Sequence, residues 1–410
     1  MEAVVASPRV RSPGLTGALV AFAALVGIFA TTPGQTVGVS SFIDPIAADL
    51  GLAREHVLLL YSIGTFLGIL TAPAIGRLVD RFGPRRLIVP IVVALTIACG
   101  VMSVAWNAWS LAAGFVLLRA AAIAGLSLVS NQMVNLWFDR FRGRIIALTL
   151  MGMAIGGLIV PPFAEGIIQS DGWRTAYLTL GAGVFAVMMP VGLALYRNRP
   201  ADTADRDFGR PGRSVSANVG DGLTLGQAAY TTAFWYLTAI TLLVNAVNTA
   251  LLLDHVRGMS NAGLGRSQAI ALLGAVTTMQ AVATLATGML VDRFGARPVG
   301  LLGLAMLAAS VLSVMLAPGL GDGLVYAVTL GAMIGMLQVV HSSGLAESFG
   351  TAHLGTIKGT TFVVGVSGAA IGPLPLLWSP TAAYWIFLGL TLCGAVLGVQ
   401  SLRERPRSPA

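Results

Sequence analysis

Twelve apolar runs, each long enough to cross a bilayer, divide this sequence and leave little choice of fold. A hydrocarbon core takes about 20 residues of helix. Lipid gives the backbone no hydrogen-bond partners, so such runs must be helical. They lie at roughly 15–41, 56–76, 87–106, 110–136, 145–168, 174–196, 231–253, 267–290, 299–317, 323–347, 357–378 and 382–400. Charged residues are only 10% of the 410, against about a quarter in a soluble domain. The expected fold is an all-α integral membrane protein, with twelve transmembrane helices in two pseudo-symmetric six-helix bundles.

The net charge of +8 does not point to nucleic acid, because the basic residues sit in short loops between the apolar runs. With the N-terminus on the cytoplasmic side, 20 Lys and Arg fall in cytoplasmic segments and only Arg54, Arg174, Arg257 and Arg266 fall outside. That bias predicts both termini in the cytoplasm and a plasma (inner) membrane location. The first run is too long for the h-region of a cleaved leader. One long polar stretch, 198–226, reads as a cytoplasmic linker between a half at 14–197 and a half at 227–402.

The halves are related by a repeat. Leu78-Val79-Asp80-Arg81-Phe82-Gly83, preceded by Gly76 and followed by Arg85 and Arg86, returns as Leu290-Val291-Asp292-Arg293-Phe294-Gly295, 212 residues later. In the same register Gly143, Gly156 and Pro161 fall on Gly355, Gly368 and Pro373. The loops after spans 2 and 8 are therefore equivalent, and so are spans 5 and 11.

The Gly-x-Leu-x-Asp-Arg-x-Gly pattern between spans 2 and 3 resembles the signature loop of the major facilitator superfamily, and the resemblance covers 14–400. It implies a secondary transporter working by alternating access. A narrower resemblance is to the monocarboxylate and oxalate/formate branch. It rests on Trp137-Phe138, Arg142-Gly143, Gly152, Gly156 and Pro161, on His255, Gly263 and Leu264, and on Gly355, Ile357, Gly359 and Gly372-Pro373. It implies a small organic anion, moved with protons or by exchange. Span 8 has no Asp, Arg or Lys before Asp292, where that branch usually has a basic or acid-base pair. Export of a neutral or hydrophobic compound and a non-transporting membrane sensor stay open beside it.

The candidate residues form two sets. Asp80 and Asp292, with Gly76, Arg81, Gly83, Arg85, Arg86, Arg293 and Gly295, make a conformational latch at the loop end. A carboxylate there gains from the dipole and free N–H groups of a helix N-terminus. The first copy carries Arg85-Arg86 where the second has Arg297-Pro298, so the first loop is expected to be the stronger latch.

The second set is polar side chains inside the membrane, which should face a cavity or bond between helices. It comprises Arg119, Gln35, Thr36, Asn131, Asn245, Asn248, Gln280, Gln338 and His341. Arg119, at mid-depth in span 4, either binds a substrate carboxylate or supports packing through backbone carbonyls. His341 is a candidate proton carrier. Asp254 and His255 are a candidate entrance gate, and the repeat sets Thr36 opposite Asn248. Six tryptophans, Trp106, Trp109, Trp173, Trp235, Trp378 and Trp385, read as an interfacial belt. Cys99 and Cys393 read as packing residues. The Gly-rich stretches follow no strand and no Walker lysine is present, so neither cofactor, metal nor ATP-driven chemistry is expected. The expected partners are a small-molecule substrate, protons and lipid, with the chain a monomer.

Overall fold

The computed structural model describes residues 15–138, 142–198, 223–316, 319–349 and 354–403, and among these residues it contains helices and no strand. Among the described residues ten helices are long and apolar enough to cross a membrane, and a shorter apolar one spans Pro380–Val396. One of the ten, Leu148–Leu195, holds two arms that meet at Gly172, whose φ of 82° and ψ of 166° are not helical. Twelve spans result, as the apolar runs predict.

We number them α1 (Leu15–Phe29), α2 (Arg54–Ile69, running on as Ala72–Phe82), α3 (Pro84–Ser103) and α4 (Ala108–Trp137). Next come α5 (142–171), α6 (173–195), α7 (Thr232–Asn261) and α8 (Arg266–Phe294). The last are α9 (Ala296–Leu316), α10 (Leu320–Phe349), α11 (Leu354–Ile371) and α12 (Pro380–Arg403). Most of the predicted linker, 199–222, lies outside the described residues. Its end is not all loop: Leu225–Ala229 is a short helix capped by Thr224, whose Oγ1 accepts from the Gln227 N–H at 3.3 Å.

Two departures from the predicted spans have local causes. Span 1 is not one helix. It stops at Phe29, makes a tight turn over Thr32–Gly34, and continues in short pieces to Leu50. Pro33 removes an N–H donor, and the Thr31 and Thr32 hydroxyls bond back to the carbonyls of Ile28 and Phe29, both at 2.6 Å. α7 runs well past the predicted end at 253, because Asp254, His255 and Arg257 find partners within the bundle.

The repeat is visible atom by atom. α2 ends at Phe82 and α8 at Phe294, and the next helices begin at Pro84 and Ala296, each pair 212 apart. Gly83 and Gly295 share one conformation, φ 76° and 82° with ψ 162° in both, which favours glycine. Arg81 stacks on Phe82 at 5.2 Å and Arg293 on Phe294 at 5.3 Å. We call this end of the bundle the motif end.

Helix pairs close through small residues, as the absence of a hydrophobic drive between helices in lipid requires. Gly152 and Gly156 of α5 sit on the end of α1 and the turn after it, and Gly368 of α11 and Gly372 just beyond it sit on the backbone of α7. In α2, Gly64 and Gly68 receive Phe115 and Arg119 of α4. In the equivalent α8–α10 pair the glycines change sides, with Gly331 and Gly335 of α10 receiving α8 at Val276 and Gln280. Position 331 is the repeat equivalent of Arg119. Between the halves, Gly157 of α5 meets Thr277 of α8, and Gly274 meets Leu158.

Trp106, Trp109, Trp235, Trp378 and Trp385 are exposed near helix ends, as a belt requires. Trp173 is the exception. It is buried against Tyr177, and Arg174 stacks on it at 4.5 Å. Cys99 is buried beside Gly181 and Cys393 is exposed on α12.

Candidate functional site

A cavity of about 340 Å³ lies within the second half. It starts at the motif end, where Ala233, Arg297 and Ser348 line it, and reaches mid-depth at Asn248, Gln280 and Met333. Its walls are mostly apolar. Leu237, Ile240, Met333, Ile334, Leu337 and Phe362 supply much of that surface, and Met153 of α5 is the first half's contribution. A largely apolar wall with a few convergent polar groups is the usual build of a small-molecule site.

Five of the nine predicted contact residues line this cavity: Asn245, Asn248, Gln280, Gln338 and His341. They differ in what they already hold. The Asn245 amide donates to the Thr241 carbonyl at 2.8 Å. His341 bridges three helices, with Nδ1 2.8 Å from Thr241 Oγ1 on α7 and Nε2 3.2 Å from Thr361 Oγ1 on α11. The Thr241 hydroxyl donates its hydrogen to the Leu237 carbonyl at 2.7 Å. Its oxygen therefore accepts from His341, which fixes the proton on Nδ1. Asn248 Oδ1 is buried without a hydrogen-bond partner. Gln280 and Gln338 donate no side-chain hydrogen bond among the described residues, although both reach the cavity.

The other four line no part of it. Gln35 donates to Thr31 Oγ1 at 3.1 Å, and Thr36 shares a 2.9 Å hydrogen bond with Tyr61. Thus Thr36 and its repeat mate Asn248 do not meet in one site. Asn131 donates to the Ser127 carbonyl of its own helix at 2.9 Å.

Arg119 is 3% exposed. Its Nε donates to Thr65 Oγ1 at 3.0 Å and its Nη1 to the Gly34 carbonyl at 2.7 Å. The guanidinium lies over the Tyr61 ring at 4.9 Å. It thus sits in the packed layer between α1, α2 and α4, on a carbonyl freed by the break in span 1. The π-helical stretch Ala120–Ser127 follows it directly. Such stretches often mark functional positions, and here one adjoins a buried charge.

The end away from the motif loops is crossed by ion pairs between the halves. Arg54 Nη1 lies 3.0 Å from Asp254 Oδ1, and its Nη2 donates to the Leu253 carbonyl at 2.8 Å. Arg266 reaches Glu165 at 2.7 Å and the Ser41 carbonyl at 2.7 Å. Tyr384 donates to Asp254 Oδ2 at 2.6 Å. Of the predicted gate pair, Asp254 is in this network. His255 is not; its Nε2 faces the Ala269 carbonyl at 2.6 Å and its ring lies 5.3 Å from that of Tyr326. In the sequence Arg54, Arg257 and Arg266 stand out only as scarce external charges, and Glu165 is not singled out. A carboxylate inside an apolar run was the available signal.

At the motif end the side chains of Asp80 and Asp292 lie outside what is described. Their loops differ in anchorage. Asn198 Oδ1 accepts from the Arg85 N–H at 3.2 Å, and the Asn198 carbonyl accepts from Trp137 Nε1 at 2.7 Å. Nothing lies within 4 Å of a Cβ built at Gly295, whereas one at Gly83 would meet Asn198 at 2.3 Å.

A sequence profile of the Major Facilitator Superfamily matches residues 18–373. The 3-(3-hydroxy-phenyl)propionate transporter of Escherichia coli is 24% identical, over 83% of this chain and 81% of that protein. The MFS-type transporter hasB of Aspergillus fumigatus is 26% identical, but over only 27% of this chain and 25% of its own length. Among solved structures, a bacterial homologue of the human lysosomal transporter Spinster, inward-facing and unoccupied, superposes with a TM-score of 0.73. It is 17% identical, covering 97% of this chain and all of that one, and so speaks for the fold alone.

Proposed function

The chain belongs to the Major Facilitator Superfamily, and from that premise we propose that it carries a small amphipathic organic acid, a monocarboxylate with an apolar body, by alternating access. The observation behind this reading is the cavity: Asn248, Gln280, Gln338 and His341 line it within otherwise apolar walls, with Arg297 at its motif-end mouth. The apolar body lies against Met333, Ile334, Leu337 and Phe362. The carboxylate takes donors from the amides of Asn248, Gln280 and Gln338, and Arg297 at the motif-end mouth draws the anion in. The relative that transports 3-(3-hydroxy-phenyl)propionate, an aryl carboxylate, supports the same class.

The cavity reaches the motif end, and ion pairs cross the other end. The positive-inside bias supports a cytoplasmic motif end and cytoplasmic termini, and the membrane in this reading is the plasma membrane. The state described is then inward-open. Transport is driven by a proton gradient or by exchange, and the protein acts as a monomer. A neutral substrate is the second reading, favoured by one observation: Arg119, the charge deepest in the first half, is engaged by Gly34 and Thr65.

Counterflow in proteoliposomes tests these readings with radiolabelled 3-phenylpropionate, shorter monocarboxylates and the matching amides. Exchange of the acids alone supports the proposal. Exchange of the amides alone would give the second reading. No exchange of any solute would leave a sensor.

Gln280→Leu and Gln338→Leu should each raise KM about tenfold in that assay, the value of one buried hydrogen bond of about 1.4 kcal/mol. Unchanged KM in both would remove these amides from the site. For the latch, Asp80→Ala should slow transport more than Asp292→Ala at matched expression, since the first loop carries more cations and is tied to Asn198. Equal or reversed effects would overturn that ranking.

A further inference from the structure

The ion pairs at the end opposite the motif loops fare unequally when the halves part. Arg54 keeps Asp44 of its own half, at 2.8 Å. Asp254 keeps Arg257, at 3.1 Å on the same helix. Among the described residues Glu165 keeps no cation. It is 4% exposed, and its counter-charge is Arg266 of the other half, with Nε at 2.7 Å from Oε1 and Nη2 at 3.1 Å from Oε2. Its remaining contact within its own half is the Gln169 amide, at 2.8 Å.

The surrounding charges offer no substitute. From the segment before α2, Asp44 lies 3.7 Å from Arg266 and is itself a carboxylate. From α2, Arg54 is bound to Asp44 and Asp254. Glu55 faces Arg257 of α7 at 3.9 Å. Arg174 of α6 is paired with Asp49. On separation the first half's share of the cross-half network is three carboxylates, Asp44, Glu55 and Glu165, with the one cation Arg54.

We infer that Glu165 is a proton-binding site, and that a proton there replaces Arg266 as its counter-charge and favours opening of this end. The inference rests on the alternating-access reading for its purpose, but opening can be read without any transport. The chemistry is a simple balance. The carboxylate takes one proton from the water at this end. Arg266 keeps its own proton and becomes hydrated. When the pair re-forms, the proton returns to water.

In the closed state Arg266, 2.7 Å away, favours the charged carboxylate; parting of the halves removes that cation and with it the main competitor of a proton. A neutral carboxyl group needs no counter-charge, gains an O–H donor and can still accept from Gln169. By linkage, whatever binds one of two states better shifts the population toward it. Acid at this end therefore favours the open state, and the pair with Arg266 favours the closed one.

Ser41 supplies a reporter. It is fully buried, its Oγ has no hydrogen-bond partner, and its carbonyl accepts from Arg266 at 2.7 Å. The protein with Cys99→Ser, Cys393→Ser and Ser41→Cys is placed in nanodiscs and treated with a hydrophilic maleimide. Rates are normalised to Ser170→Cys, an exposed position at the same end, which cancels the thiol's own pH dependence. Labelling should rise about fivefold or more from about pH 7.5 to about pH 5. With Glu165→Gln it should be fast at both values. Asp44→Asn should keep the pH response. A parent insensitive to pH, or a Glu165→Gln protein as slow and pH-sensitive as the parent, would overturn the proposal. If Glu165→Gln does not fold, Glu165→Asp should retain the pH response while Asp44→Asn and Asp254→Asn do not abolish it. Loss of the response in either Asn variant would overturn it equally.

Discussion

Gly368→Ala should destabilise the protein by about 2–3 kcal/mol and abolish most transport. A Cβ built at Gly368 lies 2.1 Å from the Leu242 carbonyl oxygen and 2.9 Å from its carbon, both backbone atoms of α7. Neither can turn away, so α11 must move off α7. That movement reaches the cavity, because Gly365 and Thr361 lie one and two turns earlier on α11. Thr361 is one of the two hydroxyls that hold His341, and Gly365 faces Asn245. The repeat supplies a control. Gly156 is the same position in the first half, but its Cβ would meet Thr32 Oγ1 at 2.0 Å, a side-chain atom, with the Phe29 carbonyl at 3.3 Å. A threonine can change rotamer, at the loss of its hydrogen bond to Phe29. Gly156→Ala should therefore cost only about 1 kcal/mol. Thermal unfolding of both variants in detergent settles the order, and a Gly156→Ala protein the less stable of the two would contradict it.

How far this was legible in the sequence depends on whether an interaction is local. The twelve spans were readable because lipid acts on each run separately. The two motif loops were readable as equivalents because identical residues in identical contexts fold alike, down to Gly83 and Gly295. The cavity was only half readable. Asn131 and Asn245 look the same in sequence, and each donates to a carbonyl of its own helix. Only helix rotation, set by packing, turns one toward the cavity and the other away. The Glu165–Arg266 pair joins residues 101 apart in the two halves, and no periodicity predicts such a partner. Arg119 was recognisable as a buried cation. Its partner was not, since every residue has a carbonyl and only the break at Thr32–Gly34 frees this one.

The two halves consequently divide the work unevenly. Polar groups of the first half, Gln35, Thr36, Asn131 and Arg119, bond to Thr31, Tyr61, Thr65 or the backbone of that same half. Those of the second half converge on the cavity. The same division appears at the repeat position of Arg119, where α10 has Gly331 and packs directly on α8. Both pairs pack closely, but in the first half the glycines, Gly64 and Gly68, are on α2 and α4 carries the charged side chain, whereas in the second half α10 carries the glycines.

Arg119→Ala should accordingly be among the most damaging substitutions in the chain, lowering stability by about 3–5 kcal/mol. Two hydrogen bonds from a charged donor contribute about 1.5–3 kcal/mol each, and their loss strands the Gly34 carbonyl in a packed layer. Arg119→Lys separates support from substrate binding. An ammonium cannot reproduce the fork that reaches Thr65 and Gly34 together. If Arg119 supports the break in span 1, the lysine variant loses about half as much stability, and the protein that survives keeps its KM. If Arg119 instead binds the transported anion, the lysine variant unfolds like the parent and its KM rises. Unfolding temperature and counterflow KM on the same preparation distinguish the two. The burial of Arg119 and its bond to Gly34 predict the first result.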